Sequence, residues 1–306
     1  MSDRTRPYIQ AARLLPEPIA GRALALEEEE MARAEEFRLR AGQVPAVSFP
    51  EGERTLTGLG PVTGEDLEGL VERASRWSLH TVLDQVCRGF VTVEGGHRVG
   101  LCGTAVMEGG EIRSLRDLSS ASVRIARQIP GAAAPVAAAL WEGEQLQDTL
   151  ILAPPGAGKT TLLRDLIRSL SQGEGHVPLR VGVADERGEL AALYRGRPQM
   201  DLGEHTDVVE GCPKAVGMML LLRGMTPQVL AVDEVTDGAD VQAMRQAAGC
   251  GVVLLATAHG TDRADLLRRP LYRAMLEEGI FRRLVTICRD GAERTFRVEK
   301  LEGAAP

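Results

Sequence analysis

The second half of the chain predicts an α/β fold, a doubly wound layer with a mostly parallel sheet, and three features carry that reading. Short runs rich in Val, Ile and Leu recur at residues 149–153, 179–184, 229–232 and 251–256. They do not alternate polar with apolar, which is the pattern of strands buried on both faces. Between them, residues 160–170, 213–222 and 239–248 space their apolar side chains as helices do, and strands alternating with helices imply right-handed crossovers. Residues 283–289 and 293–300 flank Asp290-Gly291, a two-residue hairpin signal that places a final pair at the sheet edge. The apolar run at residues 218–222 reads as core of its helix.

The first half reads as α+β. Residues 17–33 predict one helix, with the glutamates at 27–30 on its solvated face. Phe37-Arg38-Leu39-Arg40 and Ala46-Val47-Ser48-Phe49 read as half-buried strands. Thr63-Gly64-Glu65-Asp66 resembles a capping box opening a helix to about Ser75. Residues 90–94 and 97–102 form a hairpin through Gly95-Gly96. The expected division is a smaller regulatory or docking domain, 1–145, ahead of the catalytic domain, 146–306. The linker is either residues 130–135 or the polar stretch 142–148.

At 306 residues the chain is long enough for about two domains. Its net charge is −7, both halves are acidic, and aromatic residues make up only 3%. That balance disfavours a basic phosphate-tracking surface and a base-stacking platform, so nucleic acid is not an expected partner. No apolar run approaches the ~20 residues of a membrane helix, and the first residues lack the apolar stretch of a secretory signal. Five widely spaced cysteines (Cys87, Cys102, Cys212, Cys250, Cys288) without a Cys-x-x-Cys suit a reducing cytoplasm.

The strongest motif follows the strand at 149–153: Pro154-Pro155-Gly156-Ala157-Gly158-Lys159-Thr160-Thr161. Gly156 and Gly158 let successive backbone N–H groups curl around an anion, and the helix that follows aims its positive end at the same point. Lys159 is placed to reach the β- and γ-phosphates of ATP, and the Thr160 hydroxyl to ligate Mg²⁺. The chain has three lysines (Lys159, Lys214, Lys300) against thirty-three arginines, so a lysine here is selective. The catalytic half is thus expected to be a P-loop NTPase core.

Ligands of open α/β sheets sit beyond the carboxyl ends of the strands. The strand at 229–232 ends in Asp233-Glu234, where Asp233 suits the Mg²⁺ shell and Glu234 a general base for the attacking water. Asp185-Glu186-Arg187 ends another strand; it reads either as a helix-capping pair or as Glu186 holding water or metal beside a phosphate- or neighbour-contacting Arg187. Thr257 and His259 follow a third strand and suit a γ-phosphate sensor or relay. Cys212 and His205 show no metal-ligand spacing. Arg113, Arg116, Arg124 and Arg127, with Arg98, Arg187, Arg195 and Arg197, are candidates for a charge supplied across a subunit interface, or for salt bridges to the acidic first domain.

Several stretches together resemble the stage III sporulation AA family of endospore-forming bacteria. They are Glu35-Glu36-Phe37-Arg38-Leu39-Arg40, Gly95-Gly96-His97-Arg98, Ser122-Val123-Arg124-Ile125-Ala126-Arg127, residues 154–165, Asp185-Glu186-Arg187, Val232-Asp233-Glu234 and Thr257-Ala258-His259-Gly260. That family is itself similar to the ring ATPases of type II and type IV secretion. The resemblance implies a RecA-like or AAA-type core and a hexameric homo-oligomer using ATP and Mg²⁺. It also implies a cytoplasmic location at the inner face of the membrane on the mother-cell side, and membrane-bound channel proteins of the same operon as partners. Carried over, the nucleotide site falls on Pro155, Gly156, Ala157, Gly158, Lys159, Thr160 and Thr161, with Asp233 and Glu234 as the acidic pair. Ala153 and Ala157 depart from common loop residues without removing a phosphate-binding group, and Val235-Thr236-Asp237 lacks a Gly-Arg frequent in relatives. Two other readings share the core: a nucleic-acid motor or loader, and a scaffold that binds ATP without hydrolysis.

Overall fold

The computed structural model describes residues 4–75, 89–290 and 293–301. The chain divides into two compact units, one of the residues up to Arg127 with Ala192–Gln199, the other of Gln128–Ala191 with the residues from Met200 onward.

In the first unit, helices α1 (Arg6–Ala12), α2 (Ile19–Ala23), α3 (Glu28–Arg33) and α4 (Gly64–Ser75) accompany six strands: β1 (Glu36–Arg40), β2 (Ala46–Phe49), β3 (Gly52–Thr55), β4 (Phe90–Thr92), β5 (Arg98–Glu108) and β6 (Glu111–Arg124). The strands form one antiparallel sheet in the order β3-β2-β1-β6-β5-β4. Tyr8, Phe37, Leu39, Leu67 and Leu70 are fully buried in the core. Tyr8 stacks 5.0 Å from Phe37 and its hydroxyl donates to the Ala23 carbonyl at 2.9 Å. The single helix expected over 17–33 is two. Helix α2 stops after Ala23, and Glu27, whose N–H donates to Glu30 Oε2 at 3.4 Å, starts α3 afresh. The glutamate run therefore serves a helix start, where its charge complements the dipole, rather than a mid-helix face. The Thr63 box forms: Thr63 N–H donates to Asp66 Oδ2 at 2.8 Å, and Asp66 N–H to Thr63 Oγ1 at 3.2 Å. Strand β5 runs well past 102 to Glu108, and β6 returns from Gly109-Gly110, a strand absent from the expected pattern.

The second unit opens with α5 (Ala134–Ala137) and a two-stranded ribbon, β7 (Trp141–Glu142) with β8 (Gln145–Leu146). There follow β9 (Thr149–Ala153), α6 (Lys159–Gln172), β10 (Val181–Asp185), β11 (Thr206–Glu210), α7 (Lys214–Gly224), β12 (Val229–Val232), α8 (Gly238–Gly249), β13 (Val253–His259), α9 (Arg263–Arg268), α10 (Pro270–Glu277), β14 (Arg283–Asp290) and β15 (Glu293–Lys300). The sheet order is β11-β10-β12-β13-β9-β14-β15, parallel throughout except for β15, which pairs antiparallel with β14 at the edge. Strands β9, β10 and β12 are buried at every residue, as the unbroken apolar runs require. Three expectations shift. The strand expected to end at 256 continues to His259, because β13 stays paired with β9 through His259 and Ala153. The edge strand β11 was not expected; each of its residues is half-buried, so it lacks the apolar run of its neighbours. Of the run at 218–222, Met218 and Leu221 are core, whereas Leu220 is 53% exposed. Cys87 and the turn residue Gly291 lie outside the described residues. Among the described residues no helix is long and apolar enough to cross a membrane.

Candidate active site

The buried strand β9 delivers the chain into the loop at residues 154–158, and Gly158 is the N-cap of α6. Gly156 and Gly158 have φ of +73° and +104°, values a Cβ disfavours, so the glycines permit the tight curl of the loop, in which Ala157 N–H donates to the Pro154 carbonyl at 3.3 Å. Lys159 is only 4% exposed. Its Nζ lies 3.1 Å from the Ala153 carbonyl, 3.2 Å from the Pro154 carbonyl and 2.9 Å from His259 Nδ1. Burial pushes the ammonium below its usual range, while the charges of Glu234, Asp233 and Glu189 pull it back. An anion in the loop would add to that pull.

Strand β12 ends in Asp233, whose carboxylate is shared between two hydroxyls. Thr160 Oγ1 donates to Oδ2 at 2.8 Å and Thr257 Oγ1 to Oδ1 at 2.5 Å. Burial raises the Asp233 carboxyl, and the two hydroxyl bonds oppose it. The same Thr257 oxygen accepts the Glu234 N–H at 2.8 Å, which fixes the backbone where Glu234 adopts φ +52°. A left-handed conformation at a glutamate costs about 1–3 kcal/mol and persists only where neighbours impose it. The Glu234 carboxylate is held from both sides, by His259 Nε2 at 2.7 Å and Arg187 Nη1 at 3.0 Å. His259 thus bridges Lys159, on its Nδ1 side, and Glu234, on its Nε2 side. Gly260 leaves room for this strand end: a Cβ there would lie 2.7 Å from Leu152 Cδ1.

The Asp185 end divides its labour. No helix starts here: Asp185 is buried, and its carboxylate accepts the N–H groups of Glu189, Leu190 and Ala191 at 2.8–2.9 Å, which orders the turn that follows β10. Glu186 faces Lys214 Nζ at 2.6 Å, and Lys214 also lies 3.7 Å from Asp240. Asp185, Glu186, Arg187, Glu189, Lys214, Asp233 and Glu234 line one cleft. Lys214, Glu189 and Arg294 were not singled out from the sequence. Arg294 on β15 donates from Nε to the Ala157 carbonyl at 3.1 Å and lies over Gly158. Lys214 offered as sequence signals its place among only three lysines and its position next to Pro213 at a helix start; Arg294 offered none. The remaining arginine candidates are engaged elsewhere in the first unit. Arg113 pairs with Glu108, Arg116 sits 3.6 Å from Asp117, Arg127 donates to the Ala34 and Met31 carbonyls, and Arg98 and Arg195 cover the rings of Phe90 and Tyr194. Arg124 and Arg197 are exposed. Among the described residues no three His, Cys, Asp or Glu side chains group as a metal cage.

A family model described as Sporulation stage III, protein AA, matches residues 9–299. The chain belongs to the stage III sporulation AA family. This family member is 38% identical over 281 residues to the stage III sporulation protein AA of Bacillus subtilis strain 168, spanning 92% of this chain and 91% of that protein. Among solved structures, the sporulation AA chain is similar to the ATPase DotB of Legionella pneumophila, with TM-score 0.57 and 15% identity over 87% of this chain and 76% of that one. It is also similar to the pilus retraction motor PilT with bound ADP, with TM-score 0.58 and 17% identity over 88% and 79% of the two chains. These likenesses show a shared fold, an α/β sheet core.

Proposed function

We propose that this sporulation AA protein is a Mg²⁺-dependent ATP hydrolase with a RecA-like or AAA-type core. In this reading it works as a hexameric homo-oligomer and energises or gates a transport channel between mother cell and forespore. It would act from the cytoplasm at the inner face of the membrane on the mother-cell side, with membrane-bound channel proteins of the same operon as partners and residues 1–145 as the docking or regulatory domain. The likeness to DotB, entitled an ATPase, and to PilT, entitled a motor, supports the class of activity.

The observation that carries the chemistry is the chain of contacts from Lys159 through His259 to Glu234, set beside the Thr160 and Asp233 pair. The loop amides and Lys159 would take the phosphates, with phosphate oxygens replacing the two loop carbonyls as partners of the ammonium. Thr160 and Asp233 would hold Mg²⁺, which would offset the negative charge of the β- and γ-phosphates. Glu234 then receives a proton from the attacking water as its oxygen bonds to the γ-phosphorus. The bond from that phosphorus to the bridging oxygen breaks, and its electron pair leaves on ADP. His259 and Arg187 hold the Glu234 carboxylate in place for that transfer.

Replacing Glu234 by Gln is expected to leave ATP binding intact and lower turnover about 10²–10⁴-fold, read by calorimetry and phosphate release. Lys159→Ala should weaken both. Unchanged turnover in Glu234→Gln would remove Glu234 from the base role. Turnover stimulated by DNA or RNA would favour the nucleic-acid motor, and tight ATP binding with no turnover in assembled wild-type protein would favour the scaffold.

A further inference from the structure

We propose that the tip of the β5–β6 hairpin of one copy docks onto the apolar face of α7 of a second copy. The inference rests on the homo-oligomer reading above and names the surfaces that make it.

Strand β6 pairs with β1 only over residues 120–124, and β4 pairs with β5 only over residues 98–100. From Thr104 to Arg116 the hairpin has neither strand as a neighbour among the described residues, and past Leu115, whose side chain still packs against the core, it is a two-stranded arm of roughly 10 Å on each strand. A two-stranded ribbon is marginal in water by itself. This one nevertheless carries two large apolar side chains at its end. Met107 and Ile112 are register partners, 56% and 40% exposed. An exposed apolar pair on a projecting arm needs a surface to cover it.

Helix α7 offers that surface. Its inner side packs Met218 and Leu221 into the core, while Val216 and Leu220, one turn apart, are 56% and 53% exposed. They line a shallow groove of about 690 Å³ with Ala215, Met219 and Arg223. The charges match: the arm ends in Glu108 and Glu111, and among the described residues Arg223 is the one charged residue lining the groove. Glu108 is already paired with Arg113, which leaves Glu111 to meet Arg223. Each copy carries one arm, in the first unit, and one groove, in the second. That is the requirement of a head-to-tail contact, the kind that closes into a ring. The groove's helix begins at Lys214, which holds Glu186 in the cleft, so arm docking bears on the helix that positions this ion pair.

The test uses the full chain. Light-scattering mass across a concentration series, with and without Mg²⁺ and ATP, compares wild type with Ile112→Glu and Leu220→Glu. Each variant is expected to raise the concentration of half-assembly by roughly ten- to hundredfold. Glu111→Arg and Arg223→Glu, two surface changes that leave the core intact, should each weaken assembly and together restore it. With the native cysteines replaced by serine, oxidising a mixture of Met107→Cys and Leu220→Cys chains should give a disulfide-linked heterodimer. Wild-type protein that assembles while all variants assemble equally well overturns this contact and leaves the oligomer reading standing. Wild-type protein that stays monomeric throughout overturns both. A doubly substituted chain that links only within itself overturns the second copy as the occupant.

Discussion

The two sheets of this protein differ in what surrounds their strands. In the seven-stranded sheet, β9, β10 and β12 are buried at every residue, and their ends carry the glycine loop at 154–158, Asp185 and Asp233. In the six-stranded sheet, β5 and β6 outrun their neighbours, and from Thr104 outward their side chains are exposed or half-buried. The contrast sorts two kinds of work. Chemistry needs hydroxyl, carboxylate and imidazole atoms held to a few tenths of an ångström, and strand ends with no freedom to shift supply that. Recognition tolerates an arm with few contacts of its own, because the partner supplies the missing ones.

The largest test of this contrast is a truncation on each side. Ile151 is fully buried at the middle of β9, and Ile151→Ala should destabilise the second unit by about 2–5 kcal/mol in urea unfolding, through lost transfer energy and the cavity left behind. Val106→Ala on the arm should cost under ~1 kcal/mol, because little around it is packed. Equal costs would mean that the arm is packed as a core element, and the contrast would fail.

Acid should separate the units by sign. His97 is wholly buried, its Nδ1 accepts the Ala126 N–H at 3.1 Å, and burial, with the Arg127 charge adding to it, pushes its pKa from 6.5 down to about 4. Between those values the unfolded chain holds a proton that the native first unit refuses, so stability rises with pH there and falls on acidification. From pH 7 to pH 4 the loss from His97 is roughly 3 kcal/mol. In the second unit, burial raises Asp148, Asp185 and Asp233, so the native state there keeps protons the unfolded chain releases. Those three groups lend stability that declines as pH climbs above the ordinary aspartate range, the opposite slope. Urea midpoints at pH 4.5 and 7 measure the effect, and His97→Gln should flatten the first unit's dependence. A dependence unchanged in His97→Gln would assign the acid sensitivity to another group.

The same contrast explains which parts were legible in the sequence. Strands buried on both faces leave unbroken Val, Ile and Leu runs, and an acid straight after such a run is conspicuous; Asp233 and Glu234 were therefore readable with the loop. Thr257 and His259 were readable as candidates, but not as strand, because their polarity hides a pairing with β9 that runs to Ala153. Lys214 and Arg294 escaped because their partners, Glu186 and the Ala157 carbonyl, are distant in the chain and only the sheet order brings them together. The arm escaped for a different reason. Alternation is clean in a regular strand with one face on a core, and here the pairing shifts register between Cys102 and Thr104 and between Val106 and Met107, with Leu115 and Leu118 alone in reaching the core from residues 111–118 among the described residues.

The smallest expected effect compares two ion pairs of the same chemistry. Arg283 is nearly buried, donates to the Ala139 carbonyl at 3.2 Å and reaches Glu142 at 3.1 Å. Arg283→Ala strands acceptors around a buried site and should cost about 1–3 kcal/mol. Arg113 and Glu108 face each other on the arm with both side chains more than 60% exposed. Such pairs give back in side-chain entropy and screening most of what they gain, so Arg113→Ala should change stability by under ~0.5 kcal/mol. The same variant settles a second matter. An arginine supplied to a neighbour's γ-phosphate accounts for about 10³–10⁵ in turnover, far above anything an exposed pair can do for folding. Assembled Arg113→Ala protein with wild-type stability and turnover down by that factor would make Arg113 the interfacial cation. Unchanged turnover removes Arg113 from that role, and directs the search to the arginines already at the site, Arg187 and Arg294.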